Sequence, residues 1–341
     1  MLQALHQLKV RRPEVDLLRV GAIIGVLFIH NLYDWEPSTM AVATKLWGLA
    51  GWSVLIFFFL SGLLSRPAQG PAPVVRLGRS IALFVAWLLW GTFYTLAGLF
   101  AQKLWLVDSI PNLFRLEYPF FDFAYQLYFL VVLALIQALQ DLWVWFSVQV
   151  RLSQKAQSVF ELLLAIVLLI CMFYTGWPKV PHGSFPNLYP LYGLAYLSGV
   201  LQARSILLGL CFAAFCVLSA FTVLAADGIP GPLWFLILAS TMTPLLARLL
   251  RKIPPQVLAP LALLSSCSGA IYLLHHPFLL PLSRRFWRLG GVPDSLNYAL
   301  CIALACLLPI LLVLIIRPLL HRWPWLGRML LVQPNAFRSA S

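Results

Sequence analysis

Long apolar blocks leave this chain few ways to fold. Stretches of roughly twenty apolar residues, parted by short breaks with Pro, Gly or Arg, recur from Asp16 to Arg317. In hydrocarbon every backbone N–H and C=O needs an internal partner, so such blocks form helices or a closed barrel. The apolar/polar alternation of a barrel strand is missing. The sequence therefore reads as an all-α, polytopic integral membrane protein. Its transmembrane helices number about ten by block length, over 15–35, 46–65, 80–101, 124–148, 158–176, 187–203, 206–225, 232–250, 257–281 and 297–317.

An even count puts both termini on one side. The side that holds the N-terminus carries most of the basic residues, among them Arg11, Arg12, Arg76, Arg79, Arg251, Lys252, Arg317 and Arg322. Fewer (Lys45, Lys103, Arg115, Lys179, Arg284, Arg285, Arg288) fall opposite. That bias marks the cytoplasmic side, so both termini are expected in the cytoplasm. The excess of 24 Lys+Arg over 11 Asp+Glu thus serves orientation and anionic headgroups, with no nucleic acid implied. A basic N-terminal segment runs straight into the first span without a small-residue cleavage site, so no signal peptide is expected. The whole of 1–341 reads as one membrane domain with no appended soluble domain. The six cysteines all lie in apolar blocks and none has metal-ligand spacing with a His. They read as small buried side chains, and no metal is expected.

The first span, DLLRVGAIIGVLFIHNLYD from Asp16 to Asp34, breaks the apolar rule. Arg19 and His30 are eleven positions apart. At about 100° per residue that is three full turns, so both occupy one face, about 16 Å apart along the axis. Asp34 lies one turn beyond His30, and Asp16 about one turn before Arg19. Ionisable groups inside a bilayer are costly and face a polar cavity or a partner, so this helix reads as one wall of a site. Gly21 and Gly25 form a GxxxG on another face, usable within one chain or between two copies. The second span ends in Ser61-Gly62. Arg76 and Arg79 follow at the start of the third, sharing a helix face near its positive end, a plausible cradle for phosphate. His275 sits inside the apolar block of the ninth span.

These residues resemble the polytopic acyltransferase-3 family, bacterial membrane proteins that O-acylate glycans. The resemblance rests on Arg19 and His30 with ten residues between them, and on Phe57-Phe58-Phe59-Leu60-Ser61-Gly62-Leu63 closing the second span. It rests further on Arg76-x-x-Arg79, on Tyr128-Phe129-Leu130, and on Tyr272-Leu273-Leu274-His275 in a late span. It departs from the family's pattern after Arg79, where Ser80-Ile81-Ala82-Leu83 replaces the usual Pro and aromatic.

The resemblance implies a membrane O-acyltransferase of the bacterial inner membrane. The donor would be acyl-coenzyme A, most simply acetyl-coenzyme A, and the acceptor a hydroxyl of a sugar, surface polysaccharide or glycolipid. Such a transfer needs a base, an oxyanion donor and positive charge for an anionic carrier. His30 suits the base because its ordinary pKa lies near neutrality. Asp34 is the candidate to orient it, with Glu36 competing for that place or binding acceptor. Arg19 is read as holding carrier phosphate or the thioester carbonyl, the alternative being a structural ion pair with Asp16 or Glu14. Arg76 and Arg79 suit coenzyme A phosphates as fork donors, with Ser61 and Gly62 allowing close backbone approach. Tyr272 and His275 are candidates to bind acceptor. No Gly-x-Ser-x-Gly elbow is present, which favours direct attack over an acyl-enzyme. A different class also fits the buried Arg and His: a transporter or exporter with an ion path. Against it, the two halves show no internal repeat.

Overall fold

The structure, a computed structural model, describes residues 12–31, 35–50, 53–65, 73–101, 127–174, 189–212, 214, 231–275, 280 and 293–332. Among these residues every regular element is a helix. In chain order they are α1 (Pro13–His30), α2 (Pro37–Ala50), α3 (Ser53–Leu63), α4 (Pro73–Ala101), α5 (Tyr128–Gln149) and α6 (Gln154–Tyr174). They continue with α7 (Tyr189–Arg204), α8 (Gly231–Leu250), α9 (Pro255–Leu274), α10 (Asp294–Ile315), α11 (Arg317–Arg322) and α12 (Pro324–Met329). A further helical run occupies 206–212. Among the described residues five segments are long and apolar enough to cross a bilayer: Leu77–Leu96, Tyr128–Gln149, Gln154–Cys171, Pro255–Leu274 and Asp294–Ile315.

Proline sets several starts. α1, α9, α11 and α12 each carry Pro in the first two positions, where its fixed φ suits a helix and its missing N–H costs nothing. Pro244, Pro260 and Pro309 lie inside helices, as membrane helices tolerate when neighbours re-satisfy the freed carbonyl.

The second expected span meets two described helices. Residues 46–65 read as one helix; the structure describes α2 from Pro37 to Ala50 and α3 from Ser53 to Leu63, an 11-residue helix, with 51 and 52 outside the described residues. At 1.5 Å per residue α3 is about 17 Å long, well short of a hydrocarbon core. The early start of α2 has a partner in α10. The Glu36 backbone N–H donates to the Asp294 carboxylate at 2.8 Å, so the entry to α2 is tied to the first turn of α10.

α1 is the hub, packing on α2, α3, α8, α9 and α10. α3 lies between α1 and α7, and there the backbones touch. A Cβ at Gly62 would strike the Tyr196 carbonyl, and a Cβ at Gly199 would strike the Phe59 carbonyl. Small residues permit this approach, which membrane helices use in place of hydrophobic driving force. Of the GxxxG in α1 only Gly25 is used: a Cβ there would collide with the Ser53 side chain, whereas Gly21 is exposed with nothing within 4 Å. Phe58 fills the core behind α3, stacked on Tyr192 at 4.7 Å and edge-on to Phe129 at 5.0 Å. Leu135, Leu139 and Leu142 of α5 and Val159, Leu163 and Ile170 of α6 are exposed, as suits sides turned to lipid chains.

After Arg317 the segment is basic and Trp-containing, and Trp323 and Trp325 are exposed, as suits an interfacial anchor. The chain then turns inward. Trp90 Nε1–H of α4 donates to the Met329 carbonyl at 3.0 Å, and Gly269 of α9 has no room for a Cβ because Leu331 lies on it. Leu330 and Val332 are buried. This segment wedges between α4 and α9.

Replacing Gly62 or Gly199 by Ala should overpack the α3–α7 contact at a cost of about 1–3 kcal/mol each. Gly21→Ala should cost nothing. Thermal melting of detergent-purified protein distinguishes them: the first two lower Tm, the third leaves it unchanged.

Candidate active site

Two helices that are distant in sequence build the site. Arg19 Nη1–H of α1 donates to Ser265 Oγ of α9 at 3.3 Å. At the other end of α1 the His30 ring lies beside the His275 ring just past α9, centroids 5.2 Å apart and planes tilted by 49°. The two contacts advance in the same direction along both helices, by eleven residues on α1 and ten on α9, so the helices run parallel. Ser265, Ser268, Tyr272 and His275 fall on one face at helical spacing, opposite the Arg19–His30 face. Ile23, Val26 and Leu27 of α1 and Ile271 of α9, at the levels between these two ends, are all buried at 1% exposure or less.

His275 is held tightly. It has no exposed surface, and its Nδ1 lies 2.7 Å from the Tyr272 carbonyl and 3.2 Å from the Ile271 carbonyl. Carbonyl oxygens only accept, so Nδ1 carries the proton and Nε2 is the basic nitrogen of the neutral ring. Tyr272 lies next to it, ring centroids 5.9 Å apart, and meets Phe129 edge-on at 5.4 Å. Phe129 in turn meets Phe57 and Phe58 of α3, so the aromatic run that closes the second span supports this wall. From the other side, the Tyr94 hydroxyl of α4 donates to the Leu273 carbonyl.

His30 is half-buried, and the chain beyond it is fixed by α10. Asn31 is fully buried and donates from Nδ2 to the Tyr298 carbonyl at 3.4 Å. Trp35 Nε1–H donates to the Asn31 carbonyl at 2.9 Å, and its ring stands edge-on to Tyr298.

A model of the acyltransferase-3 family, described as an acyltransferase domain, matches residues 12–330. The chain belongs to the acyltransferase-3 family. It is a membrane acyltransferase. No curated protein and no solved structure matches it.

The candidate residues of this acyltransferase divide into two ends. His30, His275 and Tyr272 come together. Arg19 lies about 16 Å from His30 along α1. It donates to Ser265, and the nearby Glu14 pairs with Arg12 at 2.7 Å. Arg79 is exposed and fifteen residues before Tyr94, hence about 22 Å down α4 from the level of Leu273. That is toward the Arg19 end, because Trp90 and Tyr94 step along α4 in the same sense as Gly269 and Leu273 along α9. Arg76 falls in the first turn of α4, its side chain outside the described part. Gly62 is spent on the contact with α7, and Ser61 beside it is half-buried. Glu36 is exposed, with its N–H committed to Asp294. Asp34, the candidate to orient His30, lies outside the described residues.

A second ionic group lies apart from all the residues singled out in the sequence. Arg204 of α7 pairs with Glu161 of α6 at 2.6 Å, with side chains 11% and 1% exposed. Gln140 of α5 donates to the same carboxylate oxygen at 3.1 Å, and Gln157 accepts from Arg204 at 3.4 Å. The available signal was Gln157 and Glu161 four apart on an otherwise apolar helix, one face by spacing. Breaking a buried pair strands a charge. Arg204→Met alone should therefore cost about 3–5 kcal/mol, and the double replacement Arg204→Met with Glu161→Leu should recover most of it. Unfolding in detergent followed by near-UV circular dichroism measures both.

Proposed function

We propose that this acyltransferase is an O-acyltransferase of the bacterial inner membrane, with ten spans and both termini in the cytoplasm. Its donor is acyl-coenzyme A, most simply acetyl-coenzyme A, approaching from the cytoplasmic side. Its acceptor is a hydroxyl of a sugar, surface polysaccharide or glycolipid.

The observation that carries this reading is the α1–α9 seam, with a guanidinium at one end and paired imidazoles at the other. His30 acts as general base. It takes the acceptor proton as the hydroxyl oxygen attacks the thioester carbonyl carbon. The new C–O bond forms, the C–S bond breaks, and the proton passes from His30 to the departing thiolate. Proton transfer of this kind contributes about 10²–10⁴-fold. Arg19, Arg76 and Arg79 bind the phosphates of the carrier as fixed cations. Ser61 closes the carrier's path where α3 ends, and Tyr272 and Glu36 contact the acceptor. The Arg19 end lies toward the cytosol, so the donor enters there and the acyl group is used at the histidine end.

His30→Ala should abolish hydrolysis of acetyl-coenzyme A by the purified protein, while melting temperature and membrane insertion stay as in the parent. Arg19→Ala should raise KM for acetyl-coenzyme A by about tenfold or more, the loss of one charge-assisted contact. Full activity in the His30 variant would remove the base from this scheme. Mass spectrometry of surface glycans from cells with and without the gene identifies the acceptor.

A further inference from the structure

We propose that His275 is the positioning partner of His30, and that it works through Nε2. The inference rests on the function proposed above and adds to it the group that sets the base in place. Sequence spacing pointed to a carboxylate one turn after His30 for that role, and to acceptor binding for His275. The geometry points to a neutral imidazole from another helix.

Three observations carry this. The rings of His30 and His275 lie 5.2 Å apart between centroids, tilted by 49°. A ring nitrogen sits about 1.1 Å from its ring centre, so the nitrogens approach to about 3 Å only when both lie on the line of centres; no hydrogen bond joins the two rings as they stand, and turning the half-buried His30 side chain brings one of its nitrogens onto that line. The tautomer of His275 is fixed from the main chain: Nδ1–H is committed to the Tyr272 carbonyl at 2.7 Å. What His275 offers its neighbour is thus the acceptor Nε2. Finally, the position of this acceptor is overdetermined. His275 has no exposed surface. The turn that carries it is held by Tyr94 of α4 through the Leu273 carbonyl, and α9 is held in register with α1 by Arg19 and Ser265.

The division of labour follows. One ring nitrogen of His30 takes the acceptor proton, and the other, an N–H, donates to His275 Nε2. That bond fixes the orientation of the His30 ring and strengthens as the ring becomes a cation. No proton leaves His275, and the proton held by His30 returns to the thiolate, so the step balances. A neutral partner suits a buried place, where an ionised carboxylate would need further donors of its own.

Two amides separate the two nitrogens of His275. His275→Asn keeps a donor near the place of Nδ1 and removes Nε2. His275→Gln places an acceptor near Nε2 and gives up the main-chain bond. If His275 works through Nε2, the Gln protein hydrolyses acetyl-coenzyme A within about tenfold of the parent and the Asn protein loses about 10²-fold or more in kcat. KM for acetyl-coenzyme A stays within about threefold in both, as for a group that acts through another and not on the donor. An Asn protein as active as the parent, or equal losses in both, overturns the proposal. If hydrolysis survives His30→Ala, the proposed function fails instead, and the pairing is decided by melting. His275→Asn then lowers Tm in the parent but not in a His30→Ala background. Equal drops in both backgrounds refute the pair.

Discussion

The fold turns on the register between α1 and α9. Two parallel helices meet through one polar contact at each end, Arg19 on Ser265 and His30 beside His275. A guanidinium inside a membrane domain is expensive unless it is met by an acceptor, and Ser265 is placed to be one. A slip of one residue along either helix would swing each polar group about 100° from its partner. The ends thus penalise misregister, and Ile23, Val26, Leu27 and Ile271 are buried at the levels between them.

A second constraint holds that seam from behind. The glycines of α3 and α7 bring backbones together at Gly62 and Gly199. The aromatic side chains Phe57 and Phe58 are thereby driven toward Phe129, and Phe129 toward Tyr272. Packed aromatics transmit position with little slack because interiors of this density have few voids. Glycine backbone contacts on one side of α3 therefore help to place the wall beside His275. The Glu161–Arg204 pair ties α6 and α7 into the same platform.

Much of this was legible in the sequence. Block lengths placed most of the described helices to within a few residues, and five of these are long and apolar enough to cross a bilayer. The eleven-residue interval between Arg19 and His30 placed both on one face because helical period is a local property. Other features had no local signal. His30 and His275 are 245 positions apart, and nothing in either helix's periodicity says they meet. The early start of α2 had no local signal either: its partner Asp294 lies 258 positions along the chain. Gly62 illustrates a different ambiguity. A glycine at a helix end suits a bound carrier or a packed backbone equally, and only the position of Tyr196 shows which contact occupies it.

The wedge formed by Met329, Leu331 and Val332 between α4 and α9 has a bearing on biosynthesis. These residues leave the ribosome after every helix they touch. Until they arrive, Gly269 and Trp90 lack the neighbours that occupy the gap, and the flank of α9 that carries Gly269 is incomplete. Closing of that flank thus waits for residues 329–332, while the earlier helices are already in the bilayer.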